Sequence, residues 1–566
     1  MGVATTRQDE RALVAKGLQQ LPEPRFESVE CIANGGVLTL IPFLISQGLM
    51  SYQNHYQAFS NGYYRLESIL ITLCYIYLCR IKSIEQLKNH KPGELGKLMG
   101  LDRVPEAKCM RLNVKAVSDQ EKAHSWNEEL TQKWLGNQEE EETIFYIDGH
   151  VYVYSGYQAN MGKKHVARQK LCMAGMNEFW VHDQSQMPIM VVSGHVNEKL
   201  IEVIDKQILP KLNEHVNNAT CESDVSAGDE NQPHFTLIFD REGYSPEFFA
   251  RLWKDYHIAV ITYKKFAKEN WDDTHFEQLQ TTDQNGKQET IEMAESQYES
   301  HGIKIREIRK KGKHDHQTAM LTTHPLLDKL TASKYLFNRW IQENFFKYGR
   351  QDYAIDKIAE YSVDELDGNI KVVNPEYNKA HYRVKKKREK ISRQRARLHK
   401  LIEENADSDL DKNADYEQRL AKEEAELKAL QEQEKALVGE RQKHCYKIAL
   451  KDMPAQSRYN TVNRESKHFQ NILKMICYRA ETAMVNLLRP HYKKSANEGH
   501  MLVKEIINTS ADLVPDEANK TLQVNLYGLS TPRANNALQA IITDLNETHT
   551  TFPGTDMRLQ FSLGTN

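Results

Sequence analysis

Apolar residues recur at three- and four-residue spacing through 38–49 and 64–79, which predicts a helical segment running from Val29 to about Leu135. Beyond it the period changes. Runs rich in β-branched and aromatic residues at 143–148, 150–155, 178–182, 188–193, 234–239 and 258–263 predict strands, and helical patterns fall at 198–215 and 246–256. A series of strands followed by helix, strand, helix and strand predicts a mixed sheet, first a meander and then βαβ crossovers. The chain turns polar after Tyr263. A basic alternating run at 304–313 reads as an exposed strand with one charged face, and 318–323 as another strand.

Two helical stretches follow. The segment 335–350 is unusually aromatic, and its Tyr335, Arg339, Glu343 and Lys347 recur every four residues on one face. Residues 383–400 hold ten Lys or Arg and one Glu, 403–426 turn acidic, and Gly and Pro almost vanish between 384 and 436. That composition predicts an antiparallel helical hairpin or coiled coil with one basic arm. From Pro454 onward helices at 464–488 and 534–546 and strands at 521–527 and 556–562 form a compact α/β piece. The expected domains are therefore a helical, possibly DNA-binding segment at 1–138, an α/β domain at 139–365 with a β-rich insertion at about 264–317, the hairpin at 366–450 and the α/β piece at 451–566.

Composition narrows the class. With 566 residues, 40% hydrophobic and 27% charged, the chain reads as soluble and multidomain. Its net charge of −3 conceals strong local segregation, so an anionic partner stays open. Eight cysteines without a CxxC pair suggest a reducing cytoplasm rather than a disulfide scaffold. The first 28 residues lack the apolar core of a signal peptide, and the longest apolar runs are too short for a bilayer, so no membrane role is expected. There is no P-loop and no convincing dinucleotide fingerprint.

Three acids stand out. Asp148, in the run Ile147-Asp148-Gly149-His150, has two readings: the turn of a β-hairpin or a metal ligand at a strand end. Asp240 follows the apolar run 235–239, where α/β sheets collect ligands. Glu343 lies on the aromatic helix, and a buried carboxylate needs a cation. Asp183 and Glu242 are the substitutes. Clustered carboxylates can hold two Mg²⁺ or Mn²⁺ ions for phosphoryl transfer, and the scarcity of Cys/His pairs disfavours zinc. Basic candidates for DNA contact are Lys163, Lys164 and Arg168 in a loop after the second strand, Arg309, Lys310 and Lys311 on the basic strand, and Lys108 and Arg111 in a helix-turn-helix-like stretch at 92–111.

An Asp on the opening strand, an Asp after a later strand and a Glu on a following helix resemble the DDE pattern of bacterial insertion-sequence transposases. The resemblance is to those with a ribonuclease-H-like core and a Tyr–Arg–Glu–Lys signature helix, and it covers roughly 143–350. Arg339 and Glu343 keep the signature spacing. Three residues lie between Tyr335 and Arg339 where the signature has two, and the last signature position falls on Arg350 rather than Lys347. The resemblance implies an α/β, ribonuclease-H-like mixed sheet. It implies Asp148, Asp240 and Glu343 as ligands of two Mg²⁺ or Mn²⁺ ions, with Tyr335, Arg339 and Arg350 as phosphate contacts. It further implies cleavage and strand transfer of double-stranded DNA at terminal inverted repeats and target sites, by a nucleoid-associated homodimer. A nuclease without strand transfer, or an inactive DNA-binding scaffold on the same fold, are the alternatives.

Overall fold

In a computed structural model, all residues are described except 1–6, 60–61, 137–142, 167–168, 197, 221–230, 268, 283–287, 313–315, 357–361, 407–413, 493–494 and 565–566. The chain forms two compact units, one of residues 1–155, 163–361 and 463–566, the other of 156–162 and 362–462.

The first unit opens with helix α1 (Gln8–Ala15), strand β1 (Val29–Ile32) and helices α2 (Ile41–Ser46), α3 (Leu66–Leu78), α4 (Pro92–Lys97), α5 (Ala107–Ser118) and α6 (Ala123–Leu135). Next come strands β2 (Ile144–Val153), β3 (Lys163–Val166), β4 (Leu171–His182) and β5 (Pro188–His195). Helix α7 (Leu200–Val203) passes through a π-turn at Ile204–Ile208 into α8 (Leu209–Thr220), and β6 (Phe235–Phe239), α9 (Pro246–Tyr256) and β7 (Ile258–Tyr263) follow. An insertion of β8 (Glu277–Thr282), β9 (Gln288–Ser300) and β10 (Ile303–Lys311) returns through β11 (Gln317–Thr322) to helix α10 (Lys329–Asp352).

These strands form one mixed sheet in the order β3-β4-β2-β6-β7-β11-β10-β9-β8, with β5 also on β4. Strands β2, β6 and β7 are parallel neighbours, and β4 and β5 extend them antiparallel. The meander followed by crossovers is as expected from the pattern. Two local readings differ. The chain does not turn at Asp148-Gly149: β2 runs straight through, pairing continuously with β4 from Tyr146↔His182 to Val153↔Gly175. A glycine fits there because a Cβ would meet the Phe179 ring at 3.0 Å. The basic strand β10 is no edge either. It lies between β9 and β11, with Ile303, Ile305, Glu307, Ile308 and Arg309 buried.

The second unit contains β12 (Val363–Glu365), β13 (Lys371–Val373), α11 (Pro375–Ala406), α12 (Ala414–Gln442), β14 (Lys447–Ala449) and β15 (Asn460–Val462). Val372, Leu450 and Met453 form a small core at the base of the helical hairpin. The chain then re-enters the first unit as α13 (Arg464–Leu488), α14 (Ser495–Asn508), β16 (Ala511–Asp516), β17 (Thr521–Leu526), α15 (Pro532–Glu547) and β18 (Arg558–Leu563). β1 completes this last sheet, in the order β1-β16-β17-β18, so the two ends of the chain share one sheet. The N-terminal helices and the C-terminal α/β piece, read as separate from the sequence, lie in the same compact unit.

Helix α13 is buried nearly all round. Its Glu481, fully buried, binds the Arg80 guanidinium at 2.7 Å and accepts a hydrogen bond from the Tyr348 hydroxyl at 2.5 Å, while Arg80 also faces Asp352 at 3.5 Å. Burial by itself raises a carboxyl, but Arg80, His500 and Tyr348 overcome it and hold Glu481 down at about 2. Its folded-state pKa lies below the ordinary 4.5, so the stability it contributes is complete above that value and is lost as pH falls towards about 2. Thermal unfolding followed against pH is expected to show this acid loss in the wild type and a flatter profile in Glu481→Gln. At neutral pH the variant loses about 3–5 kcal/mol, because buried Arg80 loses its nearest acid and keeps the longer contact with Asp352.

Candidate active site

Strand alternation builds the site. On β2 the residues Ile144, Tyr146 and Asp148 share one face; Ile238 and Asp240 do so along β6, and Ile261 and Tyr263 along β7. Ile144, Tyr146, Ile238 and Ile261 belong to the core cluster in which Leu336 and Ala332 of α10 are also buried. The polar residue two positions further along each strand therefore points to the same helix. Parallel pairing runs Ile147↔Phe239 and Phe239↔Thr262. Continued by one residue, it sets Asp148, Asp240 and Tyr263 in a row at the carboxyl ends of three parallel strands.

Helix α10 is held at both ends. At its start the Asp328 carboxylate accepts the Leu330 and Thr331 N–H groups at 2.9 and 3.0 Å. Arg306 of the insertion donates to the His324 and Leu327 carbonyls at 2.8 and 2.6 Å, clamping the turn that leads in. Further along, Gln342 is fully buried and bonds His182 Nδ1 at 2.8 Å, and Phe345 packs edge-on to His182 and Tyr478. Burial lowers His182 to about 3, so the ring is neutral and Nδ1 accepts the amide hydrogen. With that side anchored, Arg339 and Glu343 turn to the acid row.

Arg339 Nη1 lies 3.6 Å from Asp148 Oδ2, and Nη2 lies 3.6 Å from Glu343 Oε1. The arginine side chain is only 12% exposed, yet its Nε is buried with no hydrogen-bond partner among the described residues. One oxygen of each aspartate is tied to backbone: Asp148 Oδ1 accepts Gly149 N–H at 2.9 Å, and Asp240 Oδ1 accepts Arg241 N–H at 2.6 Å. Burial pushes the Asp148 carboxyl up to about 7, against the pull of Arg339 and with a further push from Asp240 and Glu343. The side chain is still 23% exposed on its open edge. Tyr263 is raised by burial as well, with Arg339, Asp240, Arg241 and Glu343 all acting on it. Asp148, Asp240, Glu343, Arg339, Arg241 and Tyr263 thus form one electrostatically linked group at the strand ends.

No three His, Cys, Asp or Glu side chains stand at metal-ligand geometry among the described residues. The donors nevertheless suit a hard divalent cation in kind. They are carboxylate oxygens crowded enough to repel, and Arg339 stands between Asp148 and Glu343 at distances longer than hydrogen bonds. Glu343 is half exposed rather than buried as its aromatic helix suggested, and carboxylates beside a planar fork donor can bind a phosphate diester and the cations that accompany it.

The other expected contacts divide. Tyr335 packs against the core cluster, Lys347 is exposed and Arg350 is half-buried. Lys163 and Lys164 lie on strand β3 rather than in a loop, and Lys164 lines a cavity of about 270 Å³ with His150, His165 and Glu242. Arg168 lies outside the described residues. Arg309 is buried, bonded to Glu307 and Gln317 at 2.9 and 3.1 Å and stacked 4.4 Å over Trp271, so it is spent inside the insertion. Lys311 is engaged by Asp273 at 2.6 Å, and Lys310 sits 4.6 Å over the Phe337 ring. In the 92–111 stretch, Arg111 pairs with Glu85. The substitute Asp183 is buried against Arg479 at 3.5 Å, and Glu242 is exposed. Sequence reasoning missed Tyr263. Its strand was legible at 258–263, but the register that sets it beside Asp240 comes from the sheet.

Replacing Gln342 by Leu removes the partner of a buried ring nitrogen and should cost about 1–3 kcal/mol in denaturant unfolding. Combined with His182→Phe it should be non-additive by about 0.5–3 kcal/mol, because the two changes delete one bond.

A family model described as "Transposase protein" matches residues 2–565. No curated protein and no solved structure matches the chain.

Proposed function

The chain belongs to this transposase family, and we propose that it cuts and joins DNA at the ends of a mobile element, with Asp148, Asp240 and Glu343 as the acids of a DDE site on a ribonuclease-H-like sheet. The observation that carries the reading is the row Asp148–Asp240 at adjacent parallel strand ends, faced by Glu343 from α10. Antiparallel β2, β4 and β5 continued by parallel β6 and β7, with acids on β2 and just after β6, support it.

Mg²⁺ or Mn²⁺ held by these carboxylates would supply Lewis acidity at the phosphoryl oxygens and a more acidic water. The chain's own residues do the rest. Asp148 and Asp240 each keep one oxygen on a backbone N–H, which fixes the direction of the other. Arg339, loosely held by two acids and with Nε unpartnered, can turn its fork to a phosphate oxygen when DNA arrives. That movement frees Asp148 and Glu343. Tyr263 keeps its proton, raised by burial, and can donate to the same phosphate. Hydrolysis would free a 3′-hydroxyl, and strand transfer would use that hydroxyl at the same acids. Work on two ends implies at least a homodimer.

Duplexes carrying the element's terminal inverted repeats, incubated with Mg²⁺ or Mn²⁺, should be cleaved by the wild type. Asp148→Asn, Asp240→Asn and Glu343→Gln should each lose several kcal/mol of transition-state stabilisation, about a thousandfold or more in rate. Equal cleavage by variants and wild type, or none by any, would sink the reading. Cleavage without joined products would leave a nuclease.

A further inference from the structure

The hairpin of the second unit segregates its charge. Helix α11 carries eleven Lys or Arg against four Glu, and α12 carries eight Asp or Glu against five Lys or Arg. The two helices run antiparallel, as Arg383–Glu440 at 3.0 Å, Arg388–Glu434 at 2.6 Å and Lys387–Gln433 at 2.7 Å show. Ala380, Val384, Ile391 and Gln394 are buried along the α11 seam. The acids of α12 therefore answer the cations that flank this seam.

On the outer face of α11, Lys379, Lys386 and Arg393 meet no acid of α12 among the described residues. Lys379, Lys386, Arg393 and Lys400 recur every seven residues and are all exposed, forming a straight stripe of about 31 Å at 1.5 Å per residue. Lys379 and Lys386 form ion pairs with Glu376 and Glu389 of their own helix, exposed pairs that a stronger anion can displace. Lys390, Arg393, Arg395 and Arg397 form no ion pair among the described residues. A solubilising surface mixes signs evenly; a rod with this excess of one sign repels itself and is relieved by a counter-ion of matching shape. The apolar side of α11 is taken up by α12, which removes the insertion a membrane-surface helix needs. Duplex DNA, with one charge per about 1.7 Å of axis, is a rod of the required kind.

We propose that the outer face of α11 is a second DNA site, apart from the acid row, that binds duplex phosphates without reading sequence. The ligand class rests on the transposase reading; the place and the charge pattern do not. Full-length protein is titrated with a labelled unrelated duplex of about 30 base pairs in EDTA across about 50–200 mM salt, so that cleavage plays no part. In the variant Lys386→Gln/Arg393→Gln/Lys400→Gln, the slope of log affinity against log salt should become shallower by about 2.7, so the wild-type advantage at the low end of the range exceeds that at the high end roughly fortyfold. A variant with the same charge removed from α12, Lys422→Gln/Lys428→Gln/Lys435→Gln, should keep the wild-type slope, and circular dichroism should show both helices intact. An unchanged slope in the α11 variant overturns the proposal. So does an equal change in the α12 variant, or a loss confined to single-stranded RNA. Failure of the acid site is read separately: Asp148→Asn that cleaves like wild type removes the catalytic reading and leaves this surface standing.

Discussion

Charge taken out of water must find a partner, and helix α13 takes four charged side chains into the interior of the first unit. Lys467 and Lys474 donate to the carbonyls of Ile355 and Ala354 at 2.6 and 3.3 Å, just beyond the end of α10. Arg479 donates to the Pro188 carbonyl at 3.2 Å and faces Asp183. Glu481 holds Arg80 from the N-terminal helices. One helix from the last third of the chain thereby fixes the N-terminal segment, the turn that starts β5 and the end of α10. Removing any of these partners strands a buried charge, which makes the arrangement costly to distort.

The acid row depends on that anchoring. An α-helix resting on a sheet can rotate about its axis, and a rotation of one residue position would carry Arg339 and Glu343 away from Asp148. Rotation is blocked by the Gln342–His182 bond, by Phe345 between His182 and Tyr478, and by Tyr348 on Glu481. The insertion adds the Arg306 clamp at the other end. Placement of the carboxylates is thus a property of packing around α10, and their mutual repulsion is tolerated because Arg339 sits among them.

Two kinds of positive charge occur in this chain and they have different fates. Arg306, Arg309, Lys310 and Lys311 of the insertion strand β10 are engaged by neighbours, since the strand has partners on both sides. Cations of α11 stay outside, because a two-helix hairpin covers only one side of each helix. The segment that looked most like a DNA-contacting strand is internal, and the arm that looked like an ordinary solvated helix is the open one.

Strong periodicity was legible without coordinates. The strand-forming residues of 143–148 and the apolar run 235–239 placed Asp148 and Asp240 on or just after strands, the four-residue spacing put Arg339 and Glu343 on one face, and the charge blocks at 383–426 announced two helices. These patterns depend only on side-chain period, which the chain carries locally. Other features needed tertiary structure. Asp-Gly is a good turn signal, yet β2 continues through it because β4 supplies hydrogen-bond partners on the far side, and pairing outweighs a local turn preference. Tyr263 enters the site only through parallel register, which relates residues far apart in the chain. The sharing of one sheet by β1 and β16–β18 joins the two ends of the chain, and no local pattern encodes a contact of that range. Sequence determined which residues could face a common partner; pairing and burial decided which of them do.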